Sequence, residues 1–174
     1  HDYGEYVAWD SEEDKQANVD AVRDRYKRLG FKLLDNDAEL FDINGDQIAL
    51  IGVENWGSGN FPKYGDYDVA SSRIEKDQFK ILMSHDPDHW SHKIIDHEHH
   101  VHLTLSGHTH GSQMGVEIPG WIKWSPVQLR YERWAGLYEE KDQYLYVNRG
   151  FGFIGYPGRV GIWPEITILD LERG

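Results

Sequence analysis

The chain has 174 residues, of which 28% are charged, 39% hydrophobic and 13% aromatic. This composition predicts one folded domain and excludes a disordered or collagen-like chain. Asp and Glu number 30 against 18 Lys and Arg, so the formal net charge is -12. Because that charge repels a nucleic-acid backbone, we expect no nucleic acid as a partner. The absence of cysteine excludes disulfides, thiolate metal ligands and cysteine nucleophiles.

The first half of the sequence predicts one amphipathic helix followed by short strands. Apolar residues recur at helical spacing over 11–29, Ser11 and Asp14 form a capping-box pattern, and Gly30 favours the helix end. An Asn-Gly pair at 44–45 indicates a hairpin turn. Strands are predicted at 31–34, 39–43 and 47–53, then a loop at 57–68 and a short helix at 72–77.

The second half predicts apolar strands that end abruptly in polar motifs. The strand at 79–83 ends in Ser-His-Asp-Pro, and the strand at 101–105 ends in Ser-Gly-His-Thr-His-Gly. Between them, residues 88–96 read as helical, and a Trp-rich irregular segment follows at 115–137. Further strands are predicted at 143–147 and 165–169. The pattern as a whole predicts an α/β domain with many strands and few helices.

Three histidines at strand ends are candidate metal ligands. His108 and His110 stand at i and i+2 after an apolar strand, so their side chains should project to one side, and flanking glycines allow close approach. His85 ends another apolar strand, and functional sites of α/β sheets collect at carboxyl ends of strands. Imidazole is a favoured ligand of zinc and similar metals. The alternatives are structural or surface histidines, and for His85 a cap on the helix near Asp88.

These motifs resemble those of the calcineurin-like metallophosphoesterases. The Ser-His-Asp-Pro segment and the Gly-His-Thr-His-Gly segment match the last two metal-binding motifs of that family. The opening His1-Asp2 is similar to the end of the family's Gly-Asn-His-Asp motif, and residues 147–166 are similar to a bacterial, often membrane-associated branch. The resemblance covers essentially the whole chain. It implies that residues 1–174 are the C-terminal part of one metallophosphoesterase domain, half of a two-sheet α/β sandwich flanked by helices, with the N-terminal part absent.

The resemblance also implies a role for each matching side chain. His85 and His108 would bind one metal ion and His110 the other. His1 would be catalytic, as a proton donor or a stabiliser of the transferring phosphoryl group, and Asp2 would orient it. The activity would be two-metal hydrolysis of a phosphate monoester, diester or pyrophosphate bond.

Three residues near the C-terminus are candidate substrate ligands. By the same resemblance, Arg159, and with it Asn148 and Arg149, would touch the substrate phosphate or shape the pocket. For Arg149 and Arg159 a structural salt bridge is an equal alternative.

The family's first two motifs would lie upstream of this sequence, which sets what we expect of cofactors and partners. We expect two divalent ions of the Mn, Fe or Zn type in the full domain, whereas this chain alone would hold one or none and be inactive. The expected substrate is a phosphorylated small molecule or a lipid head group. The chain would pair with its N-terminal half or self-associate, with membrane association of the whole protein left open. The alternative function is a non-catalytic scaffold of the same fold.

Two further groups of residues carry weaker predictions. The histidines at 97, 99, 100 and 102 predict a solvated loop, with adventitious metal binding as the alternative, and His89 and His92 are expected on an exposed helix. Tyr131, Trp134 and Tyr138 have roughly helical spacing, which indicates core packing. The alternative is an aromatic flap, together with Trp121 and Trp124, that contacts a lipid tail or a membrane interface.

Overall fold

The computed structural model describes residues 3–4 and 7–172, and these residues form an α/β fold with a mixed sheet. His1 and Asp2 lie outside the described residues. The helices are α1 (Glu12–Arg28), α2 (Tyr67–Ser71) and α3 (Pro87–His89), which continues as a π-helical turn at Trp90–Ile94. The strands are β1 (Asp37–Ile43), β2 (Asp46–Gly52), β3 (Phe79–Met83), β4 (Leu103–Ser106), β5 (Val116–Ile118), β6 (Ile122–Trp124), β7 (Gly136–Glu140) and β8 (Gln143–Val147). Short 3₁₀ turns span His110–Gln113 and Pro126–Leu129.

Within the described residues, six strands form one sheet in the order β1-β2-β3-β4-β8-β7, and β5 and β6 form a separate hairpin. The four central strands β2, β3, β4 and β8 run parallel, whereas β1 and β7 pair antiparallel at the two edges. All four central strands therefore present their carboxyl ends at the same edge of the sheet. In open sheets of this kind, ligand sites form at that edge.

Local sequence signals explain why α1 and the first hairpin form where they do. The Ser11 side chain accepts a hydrogen bond from the Asp14 amide at 3.0 Å, which caps α1 as the sequence predicts. Gly30, just past the helix, has the left-handed φ of +83° typical of a helix end. Asn44 and Gly45 are both left-handed and join β1 to β2 in a two-residue hairpin turn.

One face of the large sheet carries the main core. Leu82 of β3 and Leu145 of β8, the two strands that flank β4, point to the same side of the sheet. Trp90 and Ile94 of the α3 region cover them there, and all four side chains are fully buried. Side chains alternate along a strand, so the neighbours of these residues point to the opposite face. On that face Met83, Leu137 and Tyr144 keep more than a third of their surface exposed.

Two predicted strands are wrong. Residues 31–34 and 165–169 adopt no strand in the part of the chain that the structure describes. Phe31 is 61% exposed, and its segment ends α1 instead of pairing with β1. The segment at 165–169 is attached by side chains, including Thr167 Oγ1, which lies 2.9 Å from the Tyr146 hydroxyl. Strand propensity was present in both segments, but strand formation also requires a neighbour with free backbone groups.

The short helix predicted at 72–77 lies five residues earlier. Asp66 caps α2 through a hydrogen bond from the Val69 amide to its side chain, so the helix starts at Tyr67 and has ended by Ser72. Strand β7 was not predicted. Its hairpin turn uses Lys141 and Asp142 in left-handed conformations, without the Asn-Gly pair that usually indicates such a turn.

The aromatic residues of the C-terminal third are divided between core and surface. Tyr131 and Trp134 are buried with Val127, Ala135 and Ile162 in a second core, which confirms core packing for these two residues. The helical spacing was wrong, because Tyr131 and Trp134 lie in irregular chain and Tyr138 lies in β7. Trp121, on the β5–β6 hairpin, is 78% exposed. No helix among the described residues is both long and apolar enough to span a membrane.

Candidate functional site

Three of the predicted site residues lie directly after neighbouring parallel strands. His85 follows β3 by two residues, His108 follows β4 by two, and Asn148 comes immediately after β8. The strand pairing continues into this region, since the Gly107 amide donates to the His85 carbonyl at 2.9 Å and the Asn148 amide donates to Ser106 at 2.8 Å. The sheet therefore brings these three positions to one edge.

The imidazole rings of His85 and His108 pack edge-to-face at this edge. Their centroids are 5.1 Å apart, with an angle of 78° between the ring planes. Nε2 of His108 lies 2.8 Å from the Tyr131 hydroxyl and 3.6 Å from Oδ2 of Asp86. The hydrogen bond to Tyr131 orients the His108 ring, whereas the 3.6 Å separation from Asp86 is a charge contact that is too long for a hydrogen bond. Protein histidines commonly bind metal through one nitrogen while a hydrogen bond holds the other.

Asp86 is a buried carboxylate with two different functions. Its Oδ1 accepts a hydrogen bond from the Asp88 amide at 2.9 Å and caps α3, and its Oδ2 points towards His108. Among the described residues, no group donates a hydrogen bond to Oδ2. Burial raises the pKa of Asp86 to about 6, and the neighbouring Asp88 carboxylate acts in the same direction. Above that pH Asp86 is ionised, and its carboxylate can stabilise positive charge on the His108 ring or on a cation that this ring binds.

The loop at 56–65 packs over Asp86 and His108. A Cβ atom on Gly57 would come within 2.9 Å of Asp86 Oδ2 and 2.8 Å of Phe61 Cβ, so only glycine allows this approach. The Phe61 ring lies edge-on to His108, with centroids 5.9 Å apart. This loop therefore forms an apolar wall beside the two histidines.

His110 lies in a strained turn that follows His108. His108, His110, Ser112 and Gln113 all have left-handed backbone conformations, with φ between +50° and +68°. Each such non-glycine residue costs about 1–2 kcal/mol. Strain of this kind persists only where surrounding contacts enforce it, and it concentrates at functional sites. The His110 carbonyl oxygen accepts a hydrogen bond from Arg159 Nη1 at 3.3 Å.

The predicted substrate ligands are occupied by internal contacts. Arg149 pairs with Glu165 at 2.8 Å and with Glu117 at 2.5 Å, which is the structural alternative that its sequence left open. Arg159 donates to main-chain carbonyl oxygens and makes no ion pair among the described residues. Asn148 donates to Thr167 Oγ1 at 2.9 Å. Phosphate contact by these three residues stays a prediction.

The described residues do not form a complete metal site. No group of three or more His, Asp or Glu side chains in residues 3–4 and 7–172 is close enough to hold a metal ion. The rings of His85 and His108 are together, but they are not joined by His110 in a three-ligand group. The roles predicted for His1 and Asp2 fall outside the described residues.

The histidines at 97, 99, 100 and 102 are not arranged as a binding site in the part of the chain that the structure describes. His97 is held by Asp68 at 3.0 Å, and its Nδ1 accepts the His99 amide at 3.1 Å, so both of its nitrogens are engaged. His102 Nδ1 likewise accepts the Lys80 amide at 3.0 Å. The prediction that His89 is exposed is wrong. It is 2% exposed, because it packs between Ser84 and Trp56.

Asp86 and Tyr131 are the functional candidates that sequence reasoning missed. Asp86 had a signal, since it follows His85 directly and precedes the proline that stops the strand. Tyr131 had none, because it reaches His108 from 23 residues away through irregular chain.

Comparison with known proteins identifies relatives over most of the chain. The chain is 34% identical over 152 residues to the uncharacterized metallophosphoesterase YkuE of Bacillus subtilis, and the aligned region covers 84% of this chain and 50% of that protein. It is 28% identical over 151 residues to the phosphodiesterase YaeI of Escherichia coli, covering 86% and 51%. It is also 27% identical over 177 residues to a zebrafish (Danio rerio) transmembrane protein with a metallophosphoesterase domain, covering 98% and 39%.

The chain thus spans about half the length of the first two of these relatives. No protein-family model and no solved structure matches it. The names of these relatives agree with the family that the motifs at the ends of β3 and β4 resemble. The chain belongs to the calcineurin-like metallophosphoesterase family.

Proposed function

We propose that this chain forms part of a hydrolase that cleaves phosphate monoester, diester or pyrophosphate bonds with two divalent metal ions. The observation that carries the proposal is the pair His85 and His108, whose ring centroids are 5.1 Å apart at the carboxyl ends of adjacent parallel strands. Relatives named as a metallophosphoesterase and a phosphodiesterase support the same class of reaction. Because the chain spans about half of those relatives, the activity is proposed for the whole protein.

The donor set suits a divalent transition metal but does not complete its coordination. Imidazole nitrogens bind Zn, Fe and Mn, and His85, His108 and His110 are the residues that would hold such ions. The described residues contain no three-ligand group, so further ligands have to come from elsewhere. When bound, the ions would polarise the phosphoryl oxygens and make water a stronger nucleophile at neutral pH.

The surrounding residues of this chain would orient and shield the site. Asp86 and Tyr131 both face Nε2 of His108, so a metal bound by this ring would be held through Nδ1. Fixing the ring in advance lowers the entropy lost on binding, and the Asp86 carboxylate, 3.6 Å from Nε2, would stabilise positive charge at this ring. Phe61 would exclude water from one side of the site. For His1 we propose the proton donor to the leaving group, and for Asp2 its orientation.

The proposed substrate is a phosphorylated small molecule or a lipid head group. Arg159, Asn148 and Arg149 lie in the segment after β8, near the same edge of the sheet. The excess of carboxylates elsewhere in the chain argues for an ion-bound phosphate as the recognised group, since metal ions cancel the repulsion.

The experiment is metal analysis combined with hydrolysis assays. The chain would be produced as printed and also with any sequence that precedes it in its gene. Bound metal would be measured by mass spectrometry, and hydrolysis with bis-p-nitrophenyl phosphate and p-nitrophenyl phosphate. His108→Ala tests the site, and His92→Ala is the matched control, because His92 is exposed and lies on a different element.

We expect the longer protein to bind about two ions and to turn over substrate. His108→Ala should reduce the number of bound ions and lower turnover by about 100-fold, since loss of even an outer partner of a metal ligand costs roughly 10–100-fold. His92→Ala should leave both unchanged. A longer protein that binds no metal and cleaves neither substrate would refute the proposal and leave the non-catalytic scaffold as the better description.

A further inference from the structure

The buried side chain of Gln113 organises the loop at 154–160. Gln113 is completely buried and has a left-handed φ of +55°. Its Nε2 donates to the carbonyl oxygens of Tyr156 at 2.8 Å and Gly158 at 2.5 Å, and its Oε1 accepts from the Ile154 amide. Every hydrogen-bonding group of the side chain is thus used on this loop.

The main chain of Gln113 holds the same loop from a second side. Its carbonyl oxygen accepts from the Val160 amide at 2.8 Å and from the Tyr156 hydroxyl at 2.9 Å. The next residues pair as well, since the Gly115 amide donates to Val160 at 2.9 Å. A buried glutamine with all its polar groups engaged fixes one arrangement of its partners, because any other arrangement would leave buried groups without hydrogen bonds.

This loop returns to the strained turn through Arg159. The Arg159 guanidinium donates to the carbonyl oxygens of His110 at 3.3 Å, and of Arg149 and Gly152 at 2.9 Å each. The turn at 108–113 and the loop at 154–160 are therefore joined at both ends, through Gln113 at one and through Arg159 and His110 at the other.

We propose that Gln113 is a positioning residue for the candidate site. By ordering the loop at 154–160, it holds Arg159 against the His110 carbonyl oxygen. This contact keeps His108 and His110 in their left-handed backbone conformations at the end of β4. The inference rests on the proposed function for its effect on catalysis and metal binding. Its structural part, the order of the loop, can be tested without either.

The test compares Gln113→Ala and Gln113→Glu with the wild type in the longer protein. The glutamate removes both donated hydrogen bonds and places an oxygen against two carbonyl oxygens, whereas the alanine removes the side-chain contacts altogether. Gln143→Glu is the matched control. Gln143 is also buried, and it donates to the Ile95 carbonyl at 3.0 Å from the opposite end of β8.

Three readouts separate positioning from general stability. Amide hydrogen exchange at Ile154 should become about tenfold faster in Gln113→Ala, because its hydrogen bond to Oε1 is lost. In both variants exchange at Ile154 and Val160 should also become faster, because the loop loses the hydrogen bonds that hold Tyr156 and Gly158. The affinity for Mn²⁺, measured calorimetrically, should fall about tenfold, and kcat should fall more than KM changes. Gln143→Glu should lower the denaturation midpoint but leave all three readouts unchanged.

Unchanged exchange at Ile154 and Val160 in Gln113→Ala would overturn the inference. Faster exchange with normal Mn²⁺ affinity and normal kcat would also overturn it, because Gln113 would then be structural only. A wild type that binds Mn²⁺ but hydrolyses neither phosphoester would refute the proposed activity, while exchange and metal affinity would still decide the role of Gln113. A wild type that binds no metal would overturn both proposals, and the exchange data would then report on loop order alone.

Discussion

Replacing His89 should make the protein less sensitive to acid. His89 is 2% exposed, stacks on Trp56 with ring centroids 5.1 Å apart, and has its Nδ1 2.8 Å from the Ser84 hydroxyl. Burial lowers the pKa of His89 to about 4 from its usual value of 6.5, and the positive charges of Lys93 and His97 act in the same direction. The folded protein therefore holds this imidazole neutral at pH values where an unfolded chain would protonate it.

The sign and size of the effect follow from this difference in pKa. Between about pH 6.5 and pH 4 the unfolded state binds more protons than the folded state, so the stability falls as the pH is lowered. Over the whole window the shift corresponds to about 3 kcal/mol, and at about pH 5 the loss has reached about 2 kcal/mol. Above about pH 7 the contribution is constant.

The assay is urea denaturation of the wild type and His89→Gln at about pH 7.5 and about pH 5, followed by tryptophan fluorescence. The glutamine cannot titrate, so the wild type should lose about 2 kcal/mol more than the variant on acidification, whatever the variant costs at neutral pH. His92→Gln is the control. This neighbouring histidine is exposed, and its variant should lose as much stability as the wild type. Equal losses in the wild type and His89→Gln would show that burial does not hold His89 neutral, and the reasoning would fail.

Three further predictions test other parts of the structure by the same denaturation assay. Gly161→Ala should lower the free energy of unfolding by about 3 kcal/mol, because φ is +68° and the new Cβ would overlap a main-chain carbonyl oxygen. Its control is Gly155→Ala, which has φ of +79° but open space around the new Cβ and should cost only about 1 kcal/mol. Equal costs for the two variants would contradict the packing argument. Tyr131→Phe should cost about 1 kcal/mol through its lost hydrogen bond to His108, and no change would mean that this bond has no net value. Arg149→Met should cost about 3 kcal/mol, since it leaves two partly buried carboxylates without their cation; a neutral result would show that water replaces it.

Local sequence signals were sufficient wherever the structure depends on neighbours in the chain. The Ser11 cap and the left-handed Gly30 set the ends of α1, and the Asn44-Gly45 pair sets the β1–β2 hairpin. These features depend on hydrogen bonds over three or four residues, which the residue types alone largely determine. The same signals could not decide whether residues 31–34 or 165–169 form strands, because that depends on which backbone is available beside them.

Part of the candidate site could be predicted from the sequence, because that part also depends on residues that are near each other in the chain. Histidines at the ends of apolar strands are visible in the sequence, and the parallel pairing of β3 and β4 brings His85 and His108 together as that pattern predicts. The partners of His108 were not readable. Asp86 is near in sequence but could as well have faced solvent, and Tyr131 arrives through irregular chain.

By itself, the sequence determined the α/β class, the helix and hairpin ends, and the resemblance to metallophosphoesterases, because periodicity, caps and motif residues act over short distances along the chain. Tertiary structure alone decided that Arg149 faces two carboxylates, that Gln113 holds the loop around Arg159, and that His89 is buried and neutral. Each of these depends on contacts between residues many positions apart, and burial, which sets both hydrogen-bond demand and pKa, exists only once the chain has folded.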